Sequence, residues 1–391
     1  MLTHEQNDRL TRVGPGTPCG NLLRRYWHAL CPVSELLGEQ RKKRARILGE
    51  DLVVYRKDDG TFSAVTEQCP HRNASLFFGF IEPDGIRCCY HGWKFDGATG
   101  ACMERPFEKA APPPSVRLLT YPVRELSGLL FIYMGPEAEK APLLPQWDVL
   151  ARTDRPKLIR VMPRHACNWL QIQENTVDSV HTYYLHGHMS KVLNLPTIVN
   201  GAYFYRPIES YDWSTSRWGV EKTIVYGGEM PEIEVRPPLI FPNILRIPEG
   251  PMEALHFRIP VDDEHTDIIW IGLRPEGSAE ITSGRGIPSV IEIDPPNYSI
   301  ENVNLATFYG QDRAVWETQG AIANRSNETL GASDRGIVMF RRMLSEQIDR
   351  VERGESPDVG VVDDASENVC IEFENGTRPW TINDRNISAA S

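Results

Sequence analysis

Long apolar runs are missing from this sequence: nothing in its 391 residues approaches the roughly 18 consecutive apolar residues of a membrane span, so a membrane protein is not expected. Basic residues are in deficit, 42 Lys and Arg against 53 Asp and Glu, for a net charge of −11. Such a field repels phosphate backbones and argues against a nucleic-acid partner. Cysteine is sparse, eight residues with Cys88 and Cys89 adjacent, which is too little for a disulfide scaffold. Met1 to Asp8 is polar and acidic and lacks the basic and apolar regions of a secretory signal, so a cytoplasmic location is expected. There is no glycine-rich dinucleotide fingerprint and no internal repeat.

What is present is an ordinary globular composition, 41% hydrophobic and 24% charged, long enough for two domains. Residues 1–26 read as an N-terminal arm with a short helix around Glu5 to Arg12, broken by the turn-rich Val13 to Cys19. Residues 27–140 read as a small all-β unit. In it, Asp51 to Lys57 and Thr61 to Val65 form a hairpin around Asp59-Gly60, and Gly128 to Tyr133 form another strand. Gly135 to Pro145, rich in Pro, Ala and charge, reads as a linker. Residues 146–391 mix strands and helices. Glu253 to Pro260 and Thr266 to Leu273 are expected to be antiparallel neighbours. Ser333 to Arg353 is expected to be a helix burying Ile337, Phe340, Leu344, Ile348 and Val351, followed by a polar, irregular tail. The fold class is therefore α+β, with an all-β first domain.

The first chemical constellation is Cys69-Pro-His71, sixteen residues, then Cys88-Cys-Tyr-His91 and Gly92-Trp93. Each half offers one thiolate and one imidazole from a loop between strand-like segments, giving a four-ligand site. Zinc usually pairs two Cys in one half and two His in the other, whereas here each half is mixed. A Rieske cluster divides mixed halves naturally, with Cys69 and Cys88 on one iron and His71 and His91 on the other. The spacing favours Cys88 over Cys89 as ligand. Cys19, Cys31, Cys102, Cys167 and Cys370 have no partners at ligand spacing and read as buried small apolar residues.

The second constellation is Asp178-Ser-Val-His181-Thr-Tyr-Tyr-Leu-His186-Gly-His188. Oxygen-activating non-haem iron wants two His and one carboxylate on one face, and His181 and His186 are the first candidates. Five residues rotate about 140° around a regular helix, so the two rings share a face only if the helix bulges, and a π-type bulge is predicted. Asp178 is placed to accept a hydrogen bond from a metal-bound histidine. His188 competes with His186, since Gly187 offers a break. The third ligand is expected to be Asp312, on a helical stripe with Trp316 and Gln319; Glu317, Glu328 and Asp334 compete for the role.

These motifs, with Leu10 to Pro18, Asn21 to Trp27, Pro260 to Thr266 and Ser333 to Ile337, resemble the phthalate dioxygenase-like branch of the Rieske non-haem iron ring-hydroxylating oxygenases. The family usually has Pro where this chain has Cys89. The resemblance implies an all-β Rieske domain, then a catalytic domain of the helix-grip type with a curved antiparallel sheet. It implies a 2Fe–2S cluster, a mononuclear Fe(II), and homotrimers or stacked trimers. Electrons would come from a separate NAD(P)H-dependent flavin and iron–sulfur reductase. It further implies that Asp178 bridges cluster and iron histidines, His91 with His181 or His186, of neighbouring subunits. The implied reaction uses O2 on a small aromatic substrate, an aromatic carboxylate. It would be cis-dihydroxylation, or alternatively monooxygenation leading to O-demethylation or aryl-ether cleavage. Arg206, Arg246 and Arg258 are candidate partners for that carboxylate. A bare Rieske electron carrier would explain the first motif alone, and a structural zinc protein would be colourless.

Overall fold

The computed structural model describes residues 1–194, 204–228, 233–247, 253–279, 288–292 and 300–375. The arm is held by local capping. Thr3 accepts from the Gln6 amide while Gln6 returns a bond to the Thr3 amide, starting the helix His4–Thr11. A second helix, Pro18–Leu23, begins within the last residues of the turn-rich stretch Val13 to Cys19 and was not expected. Thr17 caps it and Pro18, fixed near the helical φ, occupies its first turn. The arm docks on the C-terminal half of the chain. Asn7 donates to Ala323 O at 3.1 Å, Arg9 pairs with Asp349 and Glu352, and Asn168 donates to Thr11 O at 2.9 Å.

The first half is built from small sheets. Lys42–Ile47, Glu50–Arg56, Phe62–Thr66 and Thr120–Tyr121 form one antiparallel sheet. Phe80–Glu82, Gly85–Arg87, Lys94–Asp96 and Cys102–Glu104 form a second, and Trp27–Pro32, Leu129–Tyr133 and Val123–Leu126 a third. The predicted hairpin is present, with Gly60 at φ 88° in its turn. Residues 135–145 run as largely extended chain with one 3-10 turn, Ala138–Lys140.

The second half is organised on a nine-stranded sheet, antiparallel except where Lys157–His165 pairs in parallel with Ser289–Glu292. Ala254–Pro260 and Thr266–Leu273 are antiparallel neighbours, as expected. The sheet packs on helices. Trp169–Val177 is buried on nearly every side, and Arg335–Glu352 presents Phe340, Leu344, Ile348 and Val351 to the core. One large apolar cluster runs from the arm through Leu129 to Tyr133 to this sheet, so the two halves share a core. Among the described residues no helix is long and apolar enough to cross a membrane.

Candidate metal centres

The two Cys–His loops are built alike. In each, the cysteine amide donates to the carbonyl five residues on: Cys69 to Ala74 O at 2.9 Å and Cys88 to Trp93 O at 2.8 Å. The residue four on donates back to the cysteine carbonyl, Asn73 at 2.8 Å and Gly92 at 3.0 Å. Both return residues need positive φ, 56° at Asn73 and 74° at Gly92, which is why Asn and Gly stand there. Arg87 pins the second loop by donating to Gly92 O at 2.8 Å, and Glu82 and Glu104 hold its other nitrogens.

These loops bury the Cys69 and Cys88 side chains in one small apolar cluster and leave His71 and His91 half-buried above them. The imidazole centroids are 4.5 Å apart, and His71 stacks on Trp93 at 4.3 Å. Cys89 is exposed, facing away from that cluster, so Cys88 is the thiol that accompanies Cys69. Burial and the neighbouring Cys88 push the Cys69 thiol up to about 12, so an adjacent cation is needed to hold both as thiolates. His71 Nδ1 is buried with no hydrogen-bond partner, a donor atom waiting for a ligand. Of the other cysteines, Cys19, Cys31 and Cys167 are buried as expected, whereas Cys102 and Cys370 are only half-buried.

The second centre begins where Trp169–Val177 ends. Asp178 terminates the helix, its Oδ1 accepting from the amides of Val180 at 2.8 Å and His181 at 3.2 Å. The chain then enters a π-helical turn, Thr182–His188, the predicted bulge. Widening the turn brings a residue five positions on to nearly the same face, and the His181 and His186 ring centroids stand 5.3 Å apart. Gly187 permits the packing: a Cβ there would lie 2.2 Å from Phe204 O.

Asp312 reaches this pair from the helix Phe308–Thr318, capped by Thr307. Its Oδ1 lies 3.4 Å from His186 Nε2 and 4.0 Å from His181 Nε2, and has no hydrogen-bond partner despite its burial. Burial alone would raise the Asp312 carboxyl, but His186, His181 and Arg258 outweigh it and hold it below the usual range. His186 Nδ1 faces Gln311 Oε1 at 2.9 Å, which fixes Nδ1 as the protonated nitrogen and puts the lone pair on Nε2, the nitrogen toward Asp312. His181 Nδ1 lies 3.6 Å from Asp178 Oδ2. Among the described residues this trio is the group of His, Cys or acidic side chains whose ligand atoms all lie within 4.8 Å of one another.

The competing ligands are engaged elsewhere. Glu317 pairs with Arg313, Glu328 with Arg341, Asp334 caps Gly331, and His188 is exposed. Gln319, expected beside Asp312, is exposed at the helix end and bonds its own helix at Val315 O. The amide that touches the site is Gln311, which the stripe pattern does not reveal.

A Rieske [2Fe-2S] domain profile matches residues 26–122, and a LigXa C-terminal domain like profile matches residues 301–389, the stretch that carries Asp312. Over 93% of its length the chain is 38% identical to the 5,5'-dehydrodivanillate O-demethylase oxygenase subunit of Sphingobium sp., covering 85% of that protein. The chain belongs to the Rieske oxygenases. It is also 31% identical to the phthalate 4,5-dioxygenase oxygenase subunit of Pseudomonas putida, over 91% of this chain and 88% of that one. Dicamba monooxygenase bound to dicamba shares the fold, with a TM-score of 0.62 at 18% identity over 86% of this chain and all of that one.

As a Rieske oxygenase subunit of a ring-hydroxylating or O-demethylating system, the chain carries a Rieske 2Fe–2S cluster and a mononuclear iron. Rieske oxygenases work with separate reductase or ferredoxin partners. The residues fit both groups: two paired thiols below two imidazoles at one centre, and an orphaned buried carboxylate oxygen facing two imidazole nitrogens at the other.

The three arginines differ in their engagement. Arg246 is fully buried and its guanidinium is held by Asp148 at 2.6 Å and Glu253 at 3.2 Å, so its carboxylates are internal. Arg258 lies behind Asp312, donating to Ile172 O, Thr176 and Gln173 and stacking on Trp316; burial pulls its guanidinium down to about 9. Arg206 donates to Gly227 O at 2.7 Å.

Proposed function

We propose that this chain is the terminal oxygenase of an O-demethylating system, acting on a methoxylated aromatic carboxylate. The observation that carries this reading is the 38% identity, over nearly the whole chain, to an O-demethylase oxygenase subunit. The balanced reaction takes one aryl methyl ether, O2, two electrons and two protons to a phenol, formaldehyde and water. The electrons come from NAD(P)H through a separate flavin and iron–sulfur reductase, and the working assembly is a homotrimer or stacked trimer.

In this reading Cys69, Cys88, His71 and His91 hold the cluster in a domain of residues 27–140. His181, His186 and Asp312 hold the mononuclear iron in a domain of residues 146–391, with 1–26 as an arm. When bound, the cluster supplies electrons and the mononuclear iron activates O2. Gln311 keeps His186 in the tautomer that offers Nε2. Asp178 anchors the start of the π-turn with Oδ1 and keeps Oδ2 toward His181, leaving it able to accept from His91 of a neighbouring copy. Arg206 and Arg258 border the substrate region.

Cis-dihydroxylation of an aromatic carboxylate is the second reading, favoured by the likeness to the phthalate 4,5-dioxygenase subunit. The experiment is substrate-dependent O2 uptake with a surrogate reductase across methoxybenzoates, phthalates and benzoates, with product analysis. Formaldehyde and a phenolic acid in equal amounts are expected. A cis-diol instead would move the assignment to the second reading, and no O2 uptake with any acid would leave only electron transfer.

A further inference from the structure

Strand alternation in Lys157–His165 turns Leu158, Arg160 and Met162 toward the face that packs, with Ala254, Ile268 and Trp270, against Trp316 of the Asp312 helix. Across the sheet Arg160 stands opposite Trp270, and Trp270 opposite His256. The three side chains form a row on adjacent strands. The Arg160 guanidinium lies 4.7 Å from a Trp270 ring centre, and the His256 ring 6.1 Å away on the other strand. Trp270 leans over Gly272, where a Cβ would come within 2.2 Å of the indole.

Arg160 is an anomaly in this face. Among the described residues its guanidinium has neither a carboxylate partner nor a hydrogen bond, although the residue is half-buried and burial lowers its guanidinium pKa. The arginines around it are engaged: Arg258 by Ile172, Thr176 and Gln173, Arg313 by Glu317. Half-burying an unpaired charge is unfavourable, and the stacking on Trp270 returns only part of that cost while holding the planar fork in one orientation. His256 adds a second unsatisfied group, a buried Nε2 without a partner. Burial, then Arg258, push its imidazole down to about 3, so it is neutral, and both Asp312 and Arg160 are close enough to influence it. That puts Arg160 and His256 at the two ends of a row centred on Trp270, on the face that packs against Trp316 of the Asp312 helix.

We propose that Arg160 receives the carboxylate of the substrate through its two-pronged guanidinium, with His256 Nε2 as a further polar contact, so that the arene lies between this row and the His181–His186–Asp312 trio. The inference rests on the aromatic-acid reading above and names a residue that would enforce it. It assigns Arg160 a specificity role. Arg246, whose carboxylates are already supplied by Asp148 and Glu253, is excluded from that role.

The test uses the reconstituted holo-oxygenase with surrogate reductase. O2 uptake is measured for 3-methoxybenzoate, 3,4-dimethoxybenzoate, phthalate and a biphenyl dicarboxylate, each beside its methyl ester, in wild type, Arg160→Gln and Arg160→Lys. Wild type is expected to prefer acids. In Arg160→Gln the acid-over-ester ratio of kcat/KM should fall by about 10- to 100-fold, mainly through KM, the effect of losing charge-assisted hydrogen bonds. Arg160→Lys keeps the charge without the fork and should retain part of the preference. A wild type that shows no preference for acids overturns the aromatic-acid reading itself. A wild type that prefers acids, with the ratio preserved in Arg160→Gln, overturns only the role of Arg160. Equal losses on acids and esters in both variants, with iron lost, would make Arg160 a packing residue and also overturn it.

Discussion

Gln311 Oε1 sits 2.9 Å from His186 Nδ1, one residue before the carboxylate that faces the same imidazole from its other nitrogen. Consecutive residues of one helix thus grip both sides of a single ring. Gln311 is itself fixed by donating to Ser190 Oγ and Leu305 O at 2.8 and 2.9 Å. Gln311→Leu should therefore weaken mononuclear iron binding by about 10- to 100-fold while the cluster spectrum persists. Iron titration followed by cluster absorbance checks this, and unaltered iron affinity would remove Gln311 from the site.

The second Cys–His loop buries Cys88 and exposes Cys89, which separates the adjacent thiols. Cys88→Ser should abolish the red-brown absorbance, because the buried thiol is paired with Cys69, whereas the exposed Cys89→Ser should keep it. Visible spectra and EPR of the reduced proteins decide. The opposite pattern would reverse the ligand assignment.

Gly187 allows the π-turn to pass beneath Phe204 O. Gly187→Ala should force this backbone apart, displace His186 and reduce bound mononuclear iron by about tenfold or more, an effect comparable to losing an orienting partner. Metal analysis beside the cluster absorbance reads the outcome, and full iron loading would show that the turn tolerates a side chain.

Glu174 is a buried acid between Arg325 and Arg341, 2.8 and 2.6 Å away, and ties the helix ahead of the iron motif to two C-terminal elements. Burial opposes its ionisation, but the two guanidinium groups prevail and hold its pKa below the usual glutamate range. A depressed folded pKa contributes stability that is present above the unfolded value and lost as pH falls through the folded one. Glu174→Gln, which breaks a buried pair, should cost about 3–5 kcal/mol. Thermal unfolding across pH should show wild type losing its advantage over the variant as pH drops below about 4.5. Parallel curves for the two proteins would contradict the account.

Much of the geometry of the two candidate centres is legible in the sequence because it is local. The Cys–His loops, the bulge forced by His181 and His186, and Asp312 all follow from short spacings or one helical stripe. Extending that stripe to Gln319 failed, since the helix stops at Thr318 and the last amide turns to solvent. The helix Pro18–Leu23 was missed because Gly and Pro nearby resemble a turn until Thr17 is seen to cap it. Arg160 was invisible for another reason. Its surroundings come from Trp270 and His256, on a hairpin that only long-range pairing with Lys157–His165 brings beside it.

His181, His186 and Asp312 are proposed to hold the mononuclear iron at which O2 is used, separate from the cluster. The most direct measurement is the metal content, reduced-cluster EPR and substrate-dependent O2 uptake of Asp312→Ala beside wild type. The variant is expected to keep both cluster irons and the Rieske signal, lose the mononuclear iron, and consume no substrate-dependent O2. Full turnover, or loss of the cluster together with the iron, would contradict the assignment.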